Sequence, residues 1–338
     1  MTPPDERVAP TLEEVARVAG VSRSTVSRVI NDLPGVSKRA RAAVEQAIGD
    51  LRYVPNQAAR NLVTRRTNSI ALVVSEHGDR VFGDPFFAKI LRGVYAGMAG
   101  SRRQLVLLMA QEQDDQTLEN YLCGGHVDGA VVVSLHGRDP LPARLVAAGL
   151  PVVLVGRPLA EVTVPYVDSD NLTGGLTAAR HLLRTGRQRI ATIAGPDDMA
   201  VGIDRLAGWR RGMAEADRRT DRVARSDFSV EGGAAAMAAL LDAHPDTDAV
   251  FAAADIIAIG ALRTLAERGL RVPEDIALVG FDDSVLATST APRLTTVRQD
   301  VEELGRTTTA RLLAQVKGEG GLPASVLLPT ELVIRDSA

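Results

Sequence analysis

The sequence has a single cysteine, Cys123, and few aromatic residues: one Trp, four Tyr and six Phe among 338 residues. One cysteine excludes an intrachain disulfide framework. The longest apolar runs, such as residues 105–110, are far shorter than the roughly 18 residues that a membrane-spanning helix needs. Because the start, Met1-Thr-Pro-Pro-Asp5, is polar and lacks the apolar region of a signal peptide, we expect a cytoplasmic protein.

Motifs of enzymes and metal sites are also missing. We find no Walker A sequence, no G-x-G-x-x-G opening a βαβ unit, no G-x-S-x-G and no H-E-x-x-H. Cys123-Gly-Gly-His126 lacks further ligands at metal spacing. Asp282 and Asp283 are adjacent, so nothing places them across a glycosidic bond. We therefore expect no enzyme activity, no cofactor, and neither a catalytic nor a metal site.

The charge is unevenly distributed. The formal net charge is −3, and 24% charged and 45% hydrophobic residues are ordinary for a globular protein. Basic residues nevertheless outnumber acidic ones over residues 1–66, and the remainder is acidic. This asymmetry is typical of a small anion-binding module attached to a body that binds a different ligand. The alternative is chance clustering.

The amino-terminal pattern predicts three short helices. Thr11-Leu-Glu-Glu14 is a capping box that starts the first helix, and Gly20 supplies its left-handed end. Ser22 caps a second helix over residues 23–30, and Ser37 caps a third that ends near Leu51. Two short helices joined by a Gly-containing turn form a helix-turn-helix, whose second helix can read base edges in the DNA major groove. The alternative is an ordinary helical hairpin with a solvated charged face.

The amino-terminal residues as a whole resemble the sequence motif of a known family. Thr11-Leu-x-x-Val-Ala-x-x-Ala-Gly-Val-Ser-x-x-Thr-Val-Ser-Arg28-Val-Ile-Asn and Tyr53-Val-Pro-Asn-Gln-Ala-Ala-Arg60-Asn-Leu62 resemble the LacI/GalR family of bacterial transcriptional regulators, and the match continues to the carboxyl end. The resemblance implies that Arg23 and Ser24 are variable base readers and that Arg28 is a shared one. The implied DNA-contacting residues are Ser22, Arg23, Ser24, Thr25, Ser27, Arg28, Asn56, Ala59 and Leu62.

The segment after residue 54 is expected to be a hinge. Pro55 suits the first helical position, and residues 56–62 form only about two turns, which are marginal alone in water. The resemblance implies a hinge helix that pairs with its dimer mate in the minor groove, where Leu62 is wedged between base pairs. The alternative is that Leu62 packs on the body.

The body alternates short apolar runs with helical patterns, which predicts βαβ units and parallel sheets. The predicted strands cover residues 70–74, 105–109, 130–133, 152–155, 190–193, 249–252 and 276–280. The predicted helices cover residues 87–100, 174–184, 203–216, 232–243 and 256–268. Residues 150–171 are extended and suit a crossover between two lobes.

We therefore expect an all-α helix-turn-helix domain plus an α/β body, which the family implies is two-lobed and periplasmic-binding-protein-like. The expected domains are residues 1–53, a hinge and linker over 54–68, and an effector-binding and dimerisation domain over 69–338. The N-lobe is expected at about 69–167 plus 298–327, and the C-lobe at about 168–297 plus 328–338. Because the chain stops soon after Arg335 without a heptad tail, we expect a homodimer.

Ligands of such sheets bind beyond the carboxyl ends of strands, where this chain places aromatic rings beside Asp and Arg. That combination suits a sugar. In the alternative interpretation the residues are structural: Phe86 and Phe87 form a helix-start staple, Arg205 a salt bridge, and the aspartates helix caps. The resemblance supports an effector site that comprises Phe86, Phe87, Arg205, Phe228, Asp255 and Asp282. Many members have Asn where this chain has Ala254, so the resemblance implies that one effector hydrogen bond is missing here or supplied by another residue.

The sequence thus predicts a repressor of carbohydrate-utilisation genes that a mono- or oligosaccharide releases from a palindromic operator. Asp84-Pro-Phe-Phe87 and Val167-Asp-Ser-Asp-Asn171 resemble cellobiose- or β-glucoside-responsive members. The alternatives are a purine- or nucleotide-responsive regulator of this family and a cytosolic carbohydrate-binding or carbohydrate-processing protein.

Overall fold

The computed structural model describes residues 10–54, 66–109, 115–321 and 323–338. The chain divides into two compact units, Met1–Thr67 and Asn68–Ala338. The predicted hinge residues Asn56, Ala59 and Leu62 lie outside the described residues. No helix of the described ranges is long and apolar enough to cross a membrane.

The amino-terminal unit contains helices α1 (Leu12–Ala19), α2 (Arg23–Ile30) and α3 (Lys38–Leu51). The predicted capping box is confirmed, since the backbone N–H of Glu14 donates to Thr11 Oγ1 and the Glu14 carboxylate accepts from the Thr11 N–H. Gly20 adopts the left-handed conformation with φ 65°. Val15, Val26 and Val44 are fully buried, which leaves the opposite face of α2 in solvent.

The second unit contains two six-stranded sheets, each in its own lobe. The N-lobe sheet has the order β11-β5-β4-β3-β1-β2 and is parallel throughout. The C-lobe sheet has the order β12-β10-β9-β8-β6-β7, and β12 is antiparallel to β10. The strands are β1 (Ser69–Val74), β2 (Gln104–Met109), β3 (Ala130–Val133), β4 (Val152–Val155), β5 (Tyr166–Ser169), β6 (Ile190–Ala194), β7 (Val223–Arg225), β8 (Ala249–Ala252), β9 (Ala277–Asp282), β10 (Thr295–Gln299), β11 (Ser325–Leu328) and β12 (Thr330–Val333).

Helices cover the faces of both sheets, which is why β1, β3, β4, β6 and β8 are almost continuously buried apolar runs. The helices of this unit are α4 (Gly78–Gly83), α5 (Pro85–Gly97), α6 (Asp115–Cys123), α7 (Leu141–Ala147), α8 (Asn171–Arg184), α9 (Ala200–Glu215), α10 (Val230–Ala243), α11 (Asp255–Glu267), α12 (Val285–Thr288) and α13 (Val301–Lys317). The predicted α/β class with parallel sheets is confirmed.

The chain crosses between the lobes three times: between β5 and α8, between β10 and α13, and between β11 and β12. The crossings are hydrogen-bonded to one another. Ser169 Oγ donates to Gln299 Oε1 at 2.7 Å, and the Asp170 N–H donates to the Leu328 carbonyl at 2.8 Å. The lobes are therefore joined by one bonded cluster rather than by three independent linkers.

Helices α8 and α9 pack unusually closely. A Cβ on Gly208 would lie 2.0 Å from the Leu172 carbonyl oxygen, and a Cβ on Gly175 would lie 2.2 Å from the Arg205 carbonyl oxygen. Only glycine permits such an approach. The close crossing brings Asn171, at the start of α8, against Arg205 on α9.

Candidate functional sites

A cleft lies between the two lobes, beyond the carboxyl ends of their strands. This is where open parallel sheets bind ligands. Its polar lining is Arg80, Asp84, Ser134, Arg157, Asp168, Asn171, Arg205, Asp282 and Gln299, and its apolar lining includes Phe86, Met199, Val201, Phe228, Ala254 and Leu304.

Arg205 is the central cation of the cleft. Its side chain is 3% exposed, and its guanidinium lies 3.6 Å from the Phe281 ring centroid. Arg205 Nε donates to Asn171 Oδ1 at 2.9 Å, and Nη1 lies 3.4 Å from Asp282 Oδ1. Burial lowers the pKa of Arg205, and the charge of Asp282 opposes that shift. The guanidinium is fixed in direction and can present its remaining N–H groups to a ligand.

Asp282 ends β9 in the left-handed region, with φ 108°. Gln299 Nε2 donates to Asp282 Oδ1 at 2.6 Å. Burial raises the pKa of Asp282, the Arg205 guanidinium opposes the shift, and the charge of Asp84 adds to it. A carboxyl held in this way can pair with two neighbouring hydroxyl groups of a ligand.

Asp168 and Asn171 complete the polar floor. Asn171 Nδ2 donates to Asp168 Oδ1 at 2.9 Å and to the Ser169 carbonyl at 3.1 Å. Burial raises the pKa of Asp168, which also accepts hydrogen bonds from the backbone N–H groups of Arg157 and Ser169. This amide and carboxyl link the floor of the cleft to the first lobe crossing.

The predicted aromatic residues have different positions. Phe86 lines the cleft, whereas Phe87 is 5% exposed, packs in the N-lobe core and meets Phe86 edge to face at 5.3 Å. Phe228 lines the cleft in a left-handed conformation, and the Arg80 guanidinium covers its ring at 4.9 Å. Asp84 lines the cleft and also caps α5, as the alternative interpretation expects.

Asp255 lies beneath the site and is not part of its lining. It is fully buried, and its carboxylate accepts from Thr296 Oγ1 at 2.6 Å and from the Ser284 N–H at 2.7 Å. Burial raises the pKa of Asp255, and the charge of Asp282 adds to the shift. Ala254 does line the cleft, so that position presents no polar side chain to a ligand.

Several lining residues were not among the predicted ones: Arg80, Arg157, Asp168, Asn171 and Gln299. Asp168, Asn171 and Gln299 stand at or just after the ends of β5 and β10. The rule that ligands bind beyond strand ends would have found them had those strands been recognised. Arg80 and Arg157 carry no comparable local signal.

Side-chain contacts hold the lobes together across the cleft. Arg157 of the N-lobe forms a two-pronged salt bridge with Asp204 on α9, with Nη2 at 2.9 Å from Oδ1. Lys89 Nζ donates to the Asp283 carbonyl at 3.1 Å. His136 contacts Asp198 of the C-lobe at 2.9 Å. The structure therefore shows the two lobes closed on one another.

Helix α2 presents the residues that are predicted to read bases. Arg23, Ser24 and Arg28 are exposed, and Arg23 forms a 3.1 Å salt bridge with Glu13. Ser22 caps the helix, and its hydroxyl contacts Ser24 Oγ at 2.8 Å. The other two predicted contacts are partly buried: Thr25 bonds the Ser22 hydroxyl, and Ser27 accepts from an Asn31 amide.

Comparison with known proteins agrees with this architecture. Residues 11–56 match the bacterial regulatory proteins of the lacI family, and residues 179–338 match the periplasmic binding protein-like domain. The HTH-type transcriptional regulator CelR of Thermobifida fusca is 48% identical over an alignment of 338 positions that covers 98% of this chain and 99% of that protein.

Solved structures also match almost the whole chain, and two of them bear on function. One, described as a transcriptional regulator CelR–cellobiose complex, is 46% identical with a TM-score of 0.78, over 97% of this chain and 100% of that chain. The other is the lac repressor dimer bound to operator and the anti-inducer ONPF, 28% identical with a TM-score of 0.87, over 98% and 99%. The chain belongs to the lacI family of bacterial regulatory proteins and is a DNA-binding transcriptional regulator.

Proposed function

We propose that the protein is a homodimeric repressor that a β-linked glucose disaccharide, such as cellobiose, releases from a palindromic operator. The observation that carries the ligand class is the cleft floor, where Arg205, Asp168, Asn171 and Asp282 place donors and acceptors side by side. The similarity to a regulator solved with cellobiose supports the choice of sugar.

The chemistry of the cleft suits a pyranose ring. Each sugar hydroxyl both donates and accepts, so neighbouring hydroxyls pair well with a carboxylate on one side and a guanidinium or amide on the other. Phe86 and the apolar lining residues Val201 and Leu304 offer surfaces for the C–H faces of the ring.

A purine effector is less well supported. Stacking would need an open aromatic face, but the Arg80 guanidinium covers the Phe228 ring at 4.9 Å. The edge of that ring also packs so closely on Gly195 that a Cβ there would lie 2.4 Å from it. A sugar hydroxyl can use the Arg80 guanidinium as a donor without displacing it.

On the DNA side, the proposal assigns base reading to Arg23, Ser24 and Arg28 of α2, because their side chains are exposed on one helix. A two-fold dimer presents two such helices and therefore selects a palindromic site. The protein then acts in the cytoplasm as a regulator without enzyme activity. The hinge residues Asn56, Ala59 and Leu62 keep the minor-groove role that the sequence predicts.

The test uses the full-length protein and a duplex selected from random DNA for tight binding. We expect cellobiose to bind in calorimetry and to lower the operator affinity measured by fluorescence anisotropy, whereas adenosine and guanosine do neither. Asp282→Asn should retain operator binding but lose about a hundredfold or more in cellobiose affinity, because a buried charge-assisted partner is removed. Asp275→Asn is the matched control, since that carboxylate pairs with Arg271 on the surface of the C-lobe.

Two results would count against the proposal. An unchanged cellobiose dissociation constant in the Asp282 variant would remove that residue from the site. Release of the operator by a purine instead of cellobiose would assign the cleft to the other effector class.

A further inference from the structure

A histidine bridges the two lobes at the rim of the cleft. His136 follows β3 of the N-lobe, and its Nε2 lies 2.9 Å from Glu76 Oε1 of the same lobe. Its Nδ1 lies 2.9 Å from Asp198 Oδ2, in the C-lobe loop before α9. The adjacent Gly137 N–H donates to the Asp198 carbonyl at 2.6 Å. One imidazole ring therefore connects carboxylates of both lobes.

The proton count of this bridge is fixed by its partners. An ionised carboxylate only accepts hydrogen bonds, so each ring nitrogen of His136 must donate to form both contacts. A neutral imidazole carries one N–H, and only the imidazolium carries two. Glu76 also accepts from Arg80 and from Ser134 Oγ, the latter at 2.6 Å. Its carboxylate is thus occupied as an acceptor and supplies no proton.

The direction of the pKa shifts agrees with this geometry. The hydrogen bond to Glu76 raises the pKa of His136, burial opposes it, and the hydrogen bond to Asp198 raises it further. Burial alone would raise the pKa of Glu76, but the His136 hydrogen bond and the Arg80 charge lower it. Both shifts favour a charged pair in the closed cleft.

Other charged groups surround the bridge. The charged groups of the N-lobe are Glu76 and Arg80, and Arg138 and Asp139 follow His136 closely in the chain. The charged groups of the C-lobe are Asp198 and its neighbour Asp197. The Asp197 carboxylate lies 3.7 Å from Arg225 Nε. An opening of the cleft that moves the Asp198 loop away from the N-lobe would leave His136 with Glu76 alone. The open cleft therefore favours the imidazolium less than the closed cleft does.

We propose that His136 is a positioning residue that holds the cleft closed in its doubly protonated form, so that effector binding takes up a proton. The inference rests on the proposed function, in which the effector occupies the closed cleft. A group whose pKa is higher in the closed state stabilises that state at low pH and loses this contribution as pH rises through that pKa. The regulator therefore responds most sensitively to its effector under mildly acidic conditions.

The first experiment measures cellobiose binding to the full-length protein by calorimetry at about pH 6 and about pH 8.5, on either side of the usual histidine range. The dissociation constant should rise with pH by up to about tenfold for each unit by which closure raises the pKa of His136. In buffers of different ionisation enthalpy, the wild type should show net proton uptake near pH 7.

Variants separate the bridge from a general pH effect. Asp198→Asn removes the charge but keeps the shape, and it should flatten the pH dependence. His136→Gln should bind cellobiose with an affinity close to that of the wild type at high pH, and its affinity should change less with pH than that of the wild type, because only buried carboxyls with raised pKa values, such as Asp282 and Asp255, remain to couple binding to pH. His126→Gln is the control, because that exposed histidine stacks on Tyr121 in the N-lobe and should leave the wild-type profile unchanged.

A second measurement does not depend on cellobiose. The pKa of His136 is read from its imidazole NMR signals in wild type and Asp198→Asn, each with and without sugar. A lower His136 pKa in the variant supports the bridge even if cellobiose fails to bind, in which case only the proposed effector is wrong. Equal His136 pKa values in the two proteins under both conditions, or a pH dependence in His136→Gln as steep as in the wild type, would overturn the inference.

Discussion

Replacing Arg205 by Met removes the buried cation of the cleft while preserving most of the apolar stem. The substitution strands Asn171 Oδ1, which accepts from Arg205 Nε at 2.9 Å, and the Ala253 carbonyl, which accepts from Nη1 at 2.6 Å. It also leaves Asp282, whose side chain is 14% exposed, without its counter-charge at 3.4 Å. Breaking one side of a buried pair costs roughly 3–5 kcal/mol, so we expect a loss of that size in the free energy of unfolding at pH 8.

The loss should depend on pH with a definite sign. Burial already raises the pKa of Asp282, and removal of Arg205 raises it further. A carboxyl with a raised folded-state pKa destabilises the protein as pH rises from its unfolded value through its folded value. The cost of Arg205→Met should therefore be smaller at pH 5 than at pH 8, by about 1.4 kcal/mol for each unit of additional shift.

The assay is urea unfolding followed by fluorescence of the single tryptophan, Trp209, which is fully buried on α9. Arg180→Met is the matched control, because Arg180 forms an exposed pair with Glu215 between the same two helices. Exposed pairs contribute roughly 0–1 kcal/mol, so this variant should be almost as stable as wild type at both pH values. A loss below 1 kcal/mol for Arg205→Met, or an equal loss at pH 5 and pH 8, would refute the reasoning.

Three further predictions concern DNA binding and packing. Arg28→Ala should weaken operator binding by about 1–3 kcal/mol in an anisotropy titration without changing cellobiose affinity, and an equal loss on random DNA would reduce Arg28 to a phosphate contact. Leu62→Ala should weaken operator binding and reduce DNA bending in a gel-mobility assay, with sugar binding retained; unchanged bending would place Leu62 outside the base stack. Gly208→Ala should destabilise the C-lobe by about 1–3 kcal/mol or more in thermal unfolding, because its Cβ would overlap the Leu172 carbonyl at 2.0 Å. Gly49→Ala, in an exposed helical position with nothing within 4 Å, should be neutral or slightly stabilising, and equal losses for both would refute the packing argument.

Local signals predicted the amino-terminal unit well. The helix starts at Thr11, Ser22 and Ser37 depend on a side chain that bonds an N–H three residues away, so the sequence contains the whole interaction. The buried strands β3, β4 and β8 were recognised from apolar runs of four residues, which need no knowledge of their partners.

The strands that carry the crossings were not recognised as strands. In β5 and β10 buried polar residues interrupt the apolar pattern, for example Asp168 and Thr296. Their hydrogen-bond partners come from distant parts of the chain: Thr296 Oγ1 donates to Asp255, 41 residues away in sequence. The local pattern of apolar residues does not show which distant residues a buried polar side chain bonds. Because β5 and β10 were not recognised, Asp168, Asn171 and Gln299 were not identified as lining residues.

The site residues show the same division. Arg205 and Asp282 follow recognisable strand ends, and both line the cleft. Asp255 has the same sequence signal but turns beneath the floor, because Thr296 and the Ser284 N–H bind both of its oxygens. Sequence position thus identifies the end of the sheet at which a residue lies. Whether its side chain points into the cleft or beneath it depends on hydrogen-bond partners from other parts of the chain.

The threefold crossing of the chain also constrains how the body can be synthesised. The N-lobe sheet needs β11, which pairs with β5, and its core needs Val301, Leu304 and Leu312 of α13. A ribosome makes all of β6 to β10 before either element. The N-lobe therefore cannot complete its sheet and core until the C-lobe strands have been translated, and the edge of β5 stays unpaired during that time. Nascent chains that stall before Val301 expose that edge to other chains, which favours aggregation during biosynthesis.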